Sequence, residues 1–290
     1  MPKLLDLDPV YFADEPWPKR LTHWLNKYLV ERTFLRANAE AVDDIAKRRD
    51  LGLRMAVNIP AYALLLFLKQ GVYRNAYERP RKIGQKAEPS ETRRKVDAAL
   101  FPAPARPRDR YFGAAVLGGS GVRYYGDYCV VLKEDKTIVP DDTQVLDRNS
   151  YDAVFSPLNA VDEQLAEIMK RLRGHWGSDL VPMAKLKILP ELGAAPRLAT
   201  AGSVSEMLLH DESFVEVHKH GTFGPSQVHE VRESAADAAV EADLKGRRER
   251  GHTLSSEESL WLYRRHAVDR ALAVRGIRAR IIVTSGRTPR

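Results

Sequence analysis

Three prolines within seven residues, Phe101-Pro-Ala-Pro-Ala-Arg-Pro107, interrupt the chain roughly a third of the way along. Proline fixes φ at about −65° and has no backbone donor, so no helix crosses such a stretch and extended polyproline geometry is favoured. The hydrophobic pattern changes on either side of it. From Trp17 to Lys47, Leu21, Trp24, Leu25, Tyr28, Leu29, Phe34 and Leu35 recur at steps of three and four, with polar residues between them, as an amphipathic helix requires. An apolar run from Ala56 to Leu68 reads as a second, buried helix with Pro60 in its first turn and Gly71 at its stop. Ser90, following Pro89, caps a third helix through Leu100. Between them, Arg74 to Glu88 is rich in Arg, Lys and Pro and reads as an exposed linker.

Beyond the prolines the period becomes that of strands. Tyr111 to Leu117 and Tyr124 to Lys133 are candidate strands around the flexible turn Gly118-Gly119-Ser120-Gly121. The second is apolar on both faces and so belongs inside a sheet. Short strands are expected at Thr143–Leu146, Ala153–Phe155, Lys185–Leu189 and Arg197–Ala199. A helix is expected from Asp162 to Leu172. Ser213 to Lys219 alternates strictly and ends at Gly221. Helices are read from Ser226, through Ser234–Gly251 and over Leu254–Val274, with a closing strand at Ile277–Thr284. The fold class is therefore α+β: a helical, basic N-terminal region over residues 1–105, then a mixed or antiparallel β domain over 106–290.

The charge is uneven. Residues 1–110 carry 22 Lys and Arg against 14 Asp and Glu, leaving 24 against 25 for the rest. An excess of that kind suits either a solvated helical surface or an anionic partner such as nucleic acid or a membrane surface. The first residues lack the apolar core of a secretory signal. The run at 56–68, 13 residues long with Asn58 and Pro60 inside it, is shorter than the ~20 needed to span a bilayer. One Cys in 290 residues forms no internal disulfide and excludes thiolate zinc fingers and iron–sulfur clusters. The expected setting is the reducing cytoplasm, or delivery as an effector without a cleaved signal peptide.

Several common chemistries are missing from the sequence. It has no GxxxxGK[ST] loop, no HExxH and no GxSxG, and its Gly-rich turn does not open a helix as a dinucleotide fingerprint would. Three polar segments stand out instead. In the strand at 213–219, Phe214, Glu216, His218 and His220 share one face, opposite Val215, Val217 and Lys219. That column reads as a solvated sheet face, as a His-x-His metal site, or as a catalytic carboxylate, Glu216, with His218 beside it. In Ser120-Gly-Val-Arg-Tyr-Tyr-Gly-Asp127, Arg123 either binds a phosphate or pairs with Asp127 or Asp147. The third segment, Asp147-Arg-Asn-Ser-Tyr-Asp152, reads as a polar turn.

Taken in order, Arg123 in Gly-Val-Arg-Tyr-Tyr-Gly, Ser150 in Arg-Asn-Ser-Tyr and Glu216 in Phe-Val-Glu-Val-His-Lys-His-Gly resemble the Arg–Ser–Glu series of the mono-ADP-ribosyltransferase superfamily, in its bacterial toxin-like form. The resemblance covers roughly residues 110–225. It implies a split β-sandwich binding NAD in a cleft, and transfer of ADP-ribose to a macromolecule or to water. Glu216, Ser150 and His218 would be its catalytic group. Arg123 or its echo Arg110, with Tyr124, Gly126 and Tyr151, would line the NAD site. Where many transferring members carry Glu or Gln two residues before the catalytic Glu, this chain has Phe214, which argues against an arginine acceptor and leaves another acceptor, NAD hydrolysis alone, or no activity. The alternative is a non-enzymatic nucleic-acid-associated protein working through its basic N-terminal region.

Overall fold

A computed structural model describes residues 16–22, 53–78, 89–102, 106–134, 137–151, 162–192 and 214–282. Among them eight strands join one sheet: β1 (Arg54–Ile59), β2 (Arg110–Val116), β3 (Tyr128–Leu132), β4 (Gln144–Leu146), β5 (Arg173–His175), β6 (Glu216–His220), β7 (Val228–Ser234) and β8 (Arg278–Ile282). Their spatial order is β5-β4-β6-β2-β1-β3-β7-β8, and every pairing is antiparallel except β7 with β8. The helices are α1 (Ala61–Gln70), α2 (Glu91–Leu100), α3 (Asp162–Leu172), α4 (Trp176–Leu192), α5 (Ala235–Glu249) and α6 (Ser256–Val274), with residues 17–22 also helical. The α+β class is thus present.

Several elements differ from the sequence reading. The run 56–68 is not one helix. Residues 54–59 form β1 and the helix begins only after Pro60, which cannot donate and so separates the two elements. β1 comes from before the prolines yet lies between β2 and β3, which come from after them. The sheet therefore draws on both sides of the expected junction near residue 105, and the stretch before it is not all helical. Residues 123–125 are a 3₁₀ turn, so β3 begins at Tyr128 rather than Tyr124. Lys185–Leu189 lies inside α4, because a short apolar run has no period of its own and Leu180, Met183 and Ala184 set a helical face. The helix expected from Ser226 is a 3₁₀ turn leading into β7, buried at all but one position.

Other expectations hold. Ser90 caps α2 as expected; the structure shows Ser234 as the cap of α5 and Ser255 as that of α6, the last in a reciprocal box with Glu258. Gly71, at φ 77°, closes α1 with its N–H on the Phe67 carbonyl. β3 is buried at all five positions. The strands expected at Ala153–Phe155 and Arg197–Ala199, most of the helix from Trp17 to Lys47 and the linker between Arg79 and Glu88 lie outside the described residues.

The two faces of the sheet carry different cores. Met55, Val57, Tyr111, Ala115, Val130, Val217 and Val231 point into the larger one, packed by Leu64 and Phe67 of α1, Met183 of α4 and Val268 and Leu272 of α6. On the other face, Val96 and Leu100 of α2 meet Leu146 of β4 and Met169 and Leu172 of α3. Between the two lies the sheet position of Glu216. Among the described residues no helix is long and apolar enough to cross a membrane.

Candidate functional site

Glu216 opens β6, an interior strand between β4 and β2. It stands opposite Ala114 and Leu146, and His218 stands opposite Phe112 and Gln144. Cross-strand partners share a face, so Phe112, Leu146, Glu216 and His218 point the same way, under α2. Glu216 is 5% exposed and His218 is fully buried. A charged carboxylate in that position needs donors.

Ser150 supplies two of them. After β4 the chain turns back over β6. Asp147 N–H donates to the Leu172 carbonyl at 3.2 Å, and Asn149 Oδ1 accepts from Tyr151 N–H at 2.9 Å. That local turn leaves the Ser150 N–H to reach Glu216 Oε2 at 2.5 Å, while the Ser150 hydroxyl donates to Oε1 at 3.1 Å. His218 Nε2 lies 3.4 Å from Oε1. Burial works against the charged form of Glu216. Hydrogen bonding and attraction to His218, the Arg93 charge and the Ser150 N–H together outweigh it and hold the carboxyl below its ordinary range.

His218 is held by rings. Its imidazole meets Phe112 edge-on at 4.8 Å and Phe101 at 5.3 Å. This is a packed site rather than a solvated sheet face. His220, two residues on, is exposed, so the two histidines do not share an environment. Among the described residues no group of three or more His, Cys, Asp and Glu is placed to hold a metal ion.

Arg123 does not reach Glu216. Its Nη2 lies 2.6 Å from Asp237 Oδ1, near the start of α5. The ion-pair reading of Arg123 named Asp127 or Asp147, and the partner is neither. Asp147 is fully buried and pairs instead with Arg20 and Arg148. Arg110 is also engaged, donating to the Asp142 carbonyl at 2.6 Å. Burial pushes the Asp237 carboxyl up, the Arg123 charge opposes this, and nearby Asp127 adds to it.

The remaining predicted residues surround these two segments. Tyr124 is 75% exposed and meets Tyr125 edge-on at 5.2 Å. Tyr125 links the Arg123 turn to the Ser150 turn, because its hydroxyl accepts from Asn149 Nδ2 at 3.4 Å. Gly126 is buried, and a Cβ there would lie 2.1 Å from the Ile59 carbonyl carbon. Its place is a backbone approach to β1 rather than an open ligand surface. The same loop is pinned by Asn58, whose Nδ2 donates to the Ser120 and Gly126 carbonyls at 3.0 and 3.1 Å. Tyr151 shares a 3.0 Å hydroxyl contact with Ser90.

Three residues at this site escaped the sequence reading. Arg93 of α2 sets its guanidinium 3.8 Å over the Phe112 ring and 2.7 Å from Asp97. Asp97, fully buried, accepts from the Tyr77 hydroxyl at 2.7 Å. Burial pushes the Asp97 carboxyl up against the opposing pull of Arg93 and Tyr77. The only sequence signal was the i, i+4 spacing of Arg93 and Asp97, which by itself marks an ordinary helix pair. Part of the basic excess before residue 110 is thus engaged internally, by Arg20 and Arg93.

No family model, no curated protein and no solved structure matches this chain.

Proposed function

We propose that the chain is an NAD-consuming glycosyltransferase of ADP-ribosyltransferase type, with Glu216 as its reacting-centre carboxylate. The observation that carries this reading is the meeting of Ser150 and Glu216, 66 residues apart, through two hydrogen bonds on a carboxylate held ionised in a buried place. An anion fixed by preorganised donors suits a reaction that develops positive charge on a ribose carbon. Glu216 is 5% exposed, so a ribose would have to displace part of its cover to lie against it; there the carboxylate would stabilise that charge as the C1′–nitrogen bond breaks. The bonding pair leaves with nicotinamide. A lone pair on a macromolecular acceptor, or on water, closes the new C1′ bond, and the acceptor's proton passes to a base or to solvent. Ser150 orients the carboxylate, and His218, packed between two rings, stands beside it.

The phosphate side fits with one condition. Arg123 is of the right type for a diphosphate and sits in a turn tied to the Ser150 segment through Tyr125 and Asn149. Its partner in this structure is Asp237. A dinucleotide would take that guanidinium from a carboxylate whose charged form burial already disfavours. Exposed Tyr124 would then offer a ring face beside it.

The test is nicotinamide release from NAD by the purified full chain, with and without a macromolecular acceptor. Glu216→Gln is expected to lower kcat by ~10²–10³ while the chain stays folded, the usual consequence of losing one preorganised electrostatic group. Undiminished nicotinamide release by Glu216→Gln refutes the assignment.

A further inference from the structure

We propose that Arg93, supplied by the helix that precedes the proline segment, is a positioning residue for Glu216: its guanidinium, held by Asp97 and the face of Phe112, places a fixed positive charge on the sheet face from which that carboxylate projects. The proposal rests on Glu216 being the reacting group. It assigns to α2 a task within the site, where the sequence suggested a solvated helical surface or an anionic partner for the N-terminal third.

The placement is specific. Phe112 stands opposite His218 across the β2–β6 pairing, and the next pair of that register on the same face is Ala114 with Glu216. A guanidinium seated 3.8 Å above the Phe112 ring therefore lies over the β2–β6 seam from which Glu216 projects. Arg93 cannot drift from this seat, because Asp97 one turn later holds it at 2.7 Å and is itself held by Tyr77. Ser90 fixes the start of the helix by capping the Arg93 N–H at 3.1 Å.

The polar groups of the cluster follow one another. The Tyr77 hydroxyl meets Asp97, and Asp97 faces both Arg93 and His218, which in turn face Glu216. Those that bear on Glu216 itself are His218, on its own strand, and Arg93, on α2, beside the Ser150 N–H. The influence of Arg93 on Glu216 is mutual: each favours the charged form of the other. The two carboxyls are pushed in opposite directions, Asp97 upward by burial and Glu216 downward by His218, Arg93 and the Ser150 N–H. Arginine, with a planar fork and a face for stacking, suits this seat better than lysine.

The test compares wild type with Arg93→Met, Arg93→Lys and Phe112→Leu in the full chain. Two readouts are used: the pH profile of nicotinamide release, and the carboxyl ¹³C titration of Glu216, assigned by its disappearance in Glu216→Gln. In Arg93→Met the acidic limb of the profile and the Glu216 titration are expected to move upward together by ~1 pH unit or more, the scale set by loss of a nearby opposite charge. The kcat value should fall by up to ~10²-fold with KM for NAD little changed, as when a reacting group loses its alignment. Arg93→Lys should restore most of the titration and only part of kcat. A purely structural Arg93 would lower the amount of folded protein without moving either titration. If Arg93→Met does not fold, Phe112→Leu removes the stacking face and should shift both titrations in the same direction by less. A Glu216 titration unmoved in whichever of these variants folds overturns the inference. A wild-type protein that releases no nicotinamide, but whose Glu216 titration moves in Arg93→Met, overturns the enzymatic reading and leaves the electrostatic role of Arg93 standing.

Discussion

Replacing Arg265 with Met removes the most deeply buried cation of the described chain, and the consequence follows from its surroundings. Arg265 of α6 is 1% exposed. Its Nη2 donates to Glu233 at the end of β7, and its Nε donates to Glu241 of α5 at 2.6 Å. Its Cζ lies 4.7 Å over Trp261 and 5.3 Å over Tyr128. Methionine fills much of the volume but leaves Glu233 buried without its counter-charge, a change that costs about 3–5 kcal/mol when one partner of a buried pair is lost. For a chain of this size that corresponds to a Tm lower by about 6–15 °C. The pH dependence supplies an independent check. Burial holds the Glu233 carboxyl above its ordinary range even with Arg265 in place, and the variant raises it further. A carboxyl whose folded value lies above its unfolded value favours the folded state most when protonated, below the unfolded value. That contribution fades as pH rises through the folded value. The deficit of Arg265→Met should therefore be largest near pH 7 and shrink toward pH 5. Thermal and urea unfolding of both proteins at the two pH values measures it. A deficit below about 1 kcal/mol, or one that grows as the solution is acidified, refutes this account of the cluster.

Two further outcomes can be checked directly. Asn58→Ala removes both side-chain bonds that hold the 118–126 loop against β1 and is expected to cost about 1–3 kcal/mol in urea unfolding, with the Ser120 and Gly126 carbonyls losing a donor. Cys129, fully buried on β3 with its thiol pushed up to about 12 by burial, should resist thiol reagents at pH 8 until the chain unfolds, so rapid labelling of the native protein contradicts its placement.

The elements most legible in the sequence were those with local punctuation. Ser90 announces its helix because a cap acts within three residues. β1 was hidden because Arg54–Ile59 runs straight into an equally apolar helix, and only Pro60 marks the change. β7 was misread from its first residues, which form a 3₁₀ turn before the strand begins. At the site, Ser150 and Glu216 were readable from short motifs whose turn and strand are locally determined. The partner of Arg123 was not, since Asp237 lies 114 residues away and nothing near either residue specifies the pairing. Arg93 escaped for the same reason. Its local pair with Asp97 looks like a helix-surface contact, and only the packing of α2 over Phe112 buries it.

The position of β1 changes what the proline stretch can mean for the molecule. β1 shares three aligned residues with β2 and four with β3, and both neighbours enter the sequence only after residue 106. A protease nick between Phe101 and Pro107 would cut one covalent bond and leave the two pieces laced together through the middle of the sheet. Among the described residues, the earlier piece would hold the strand that joins β2 to β3 in the later one.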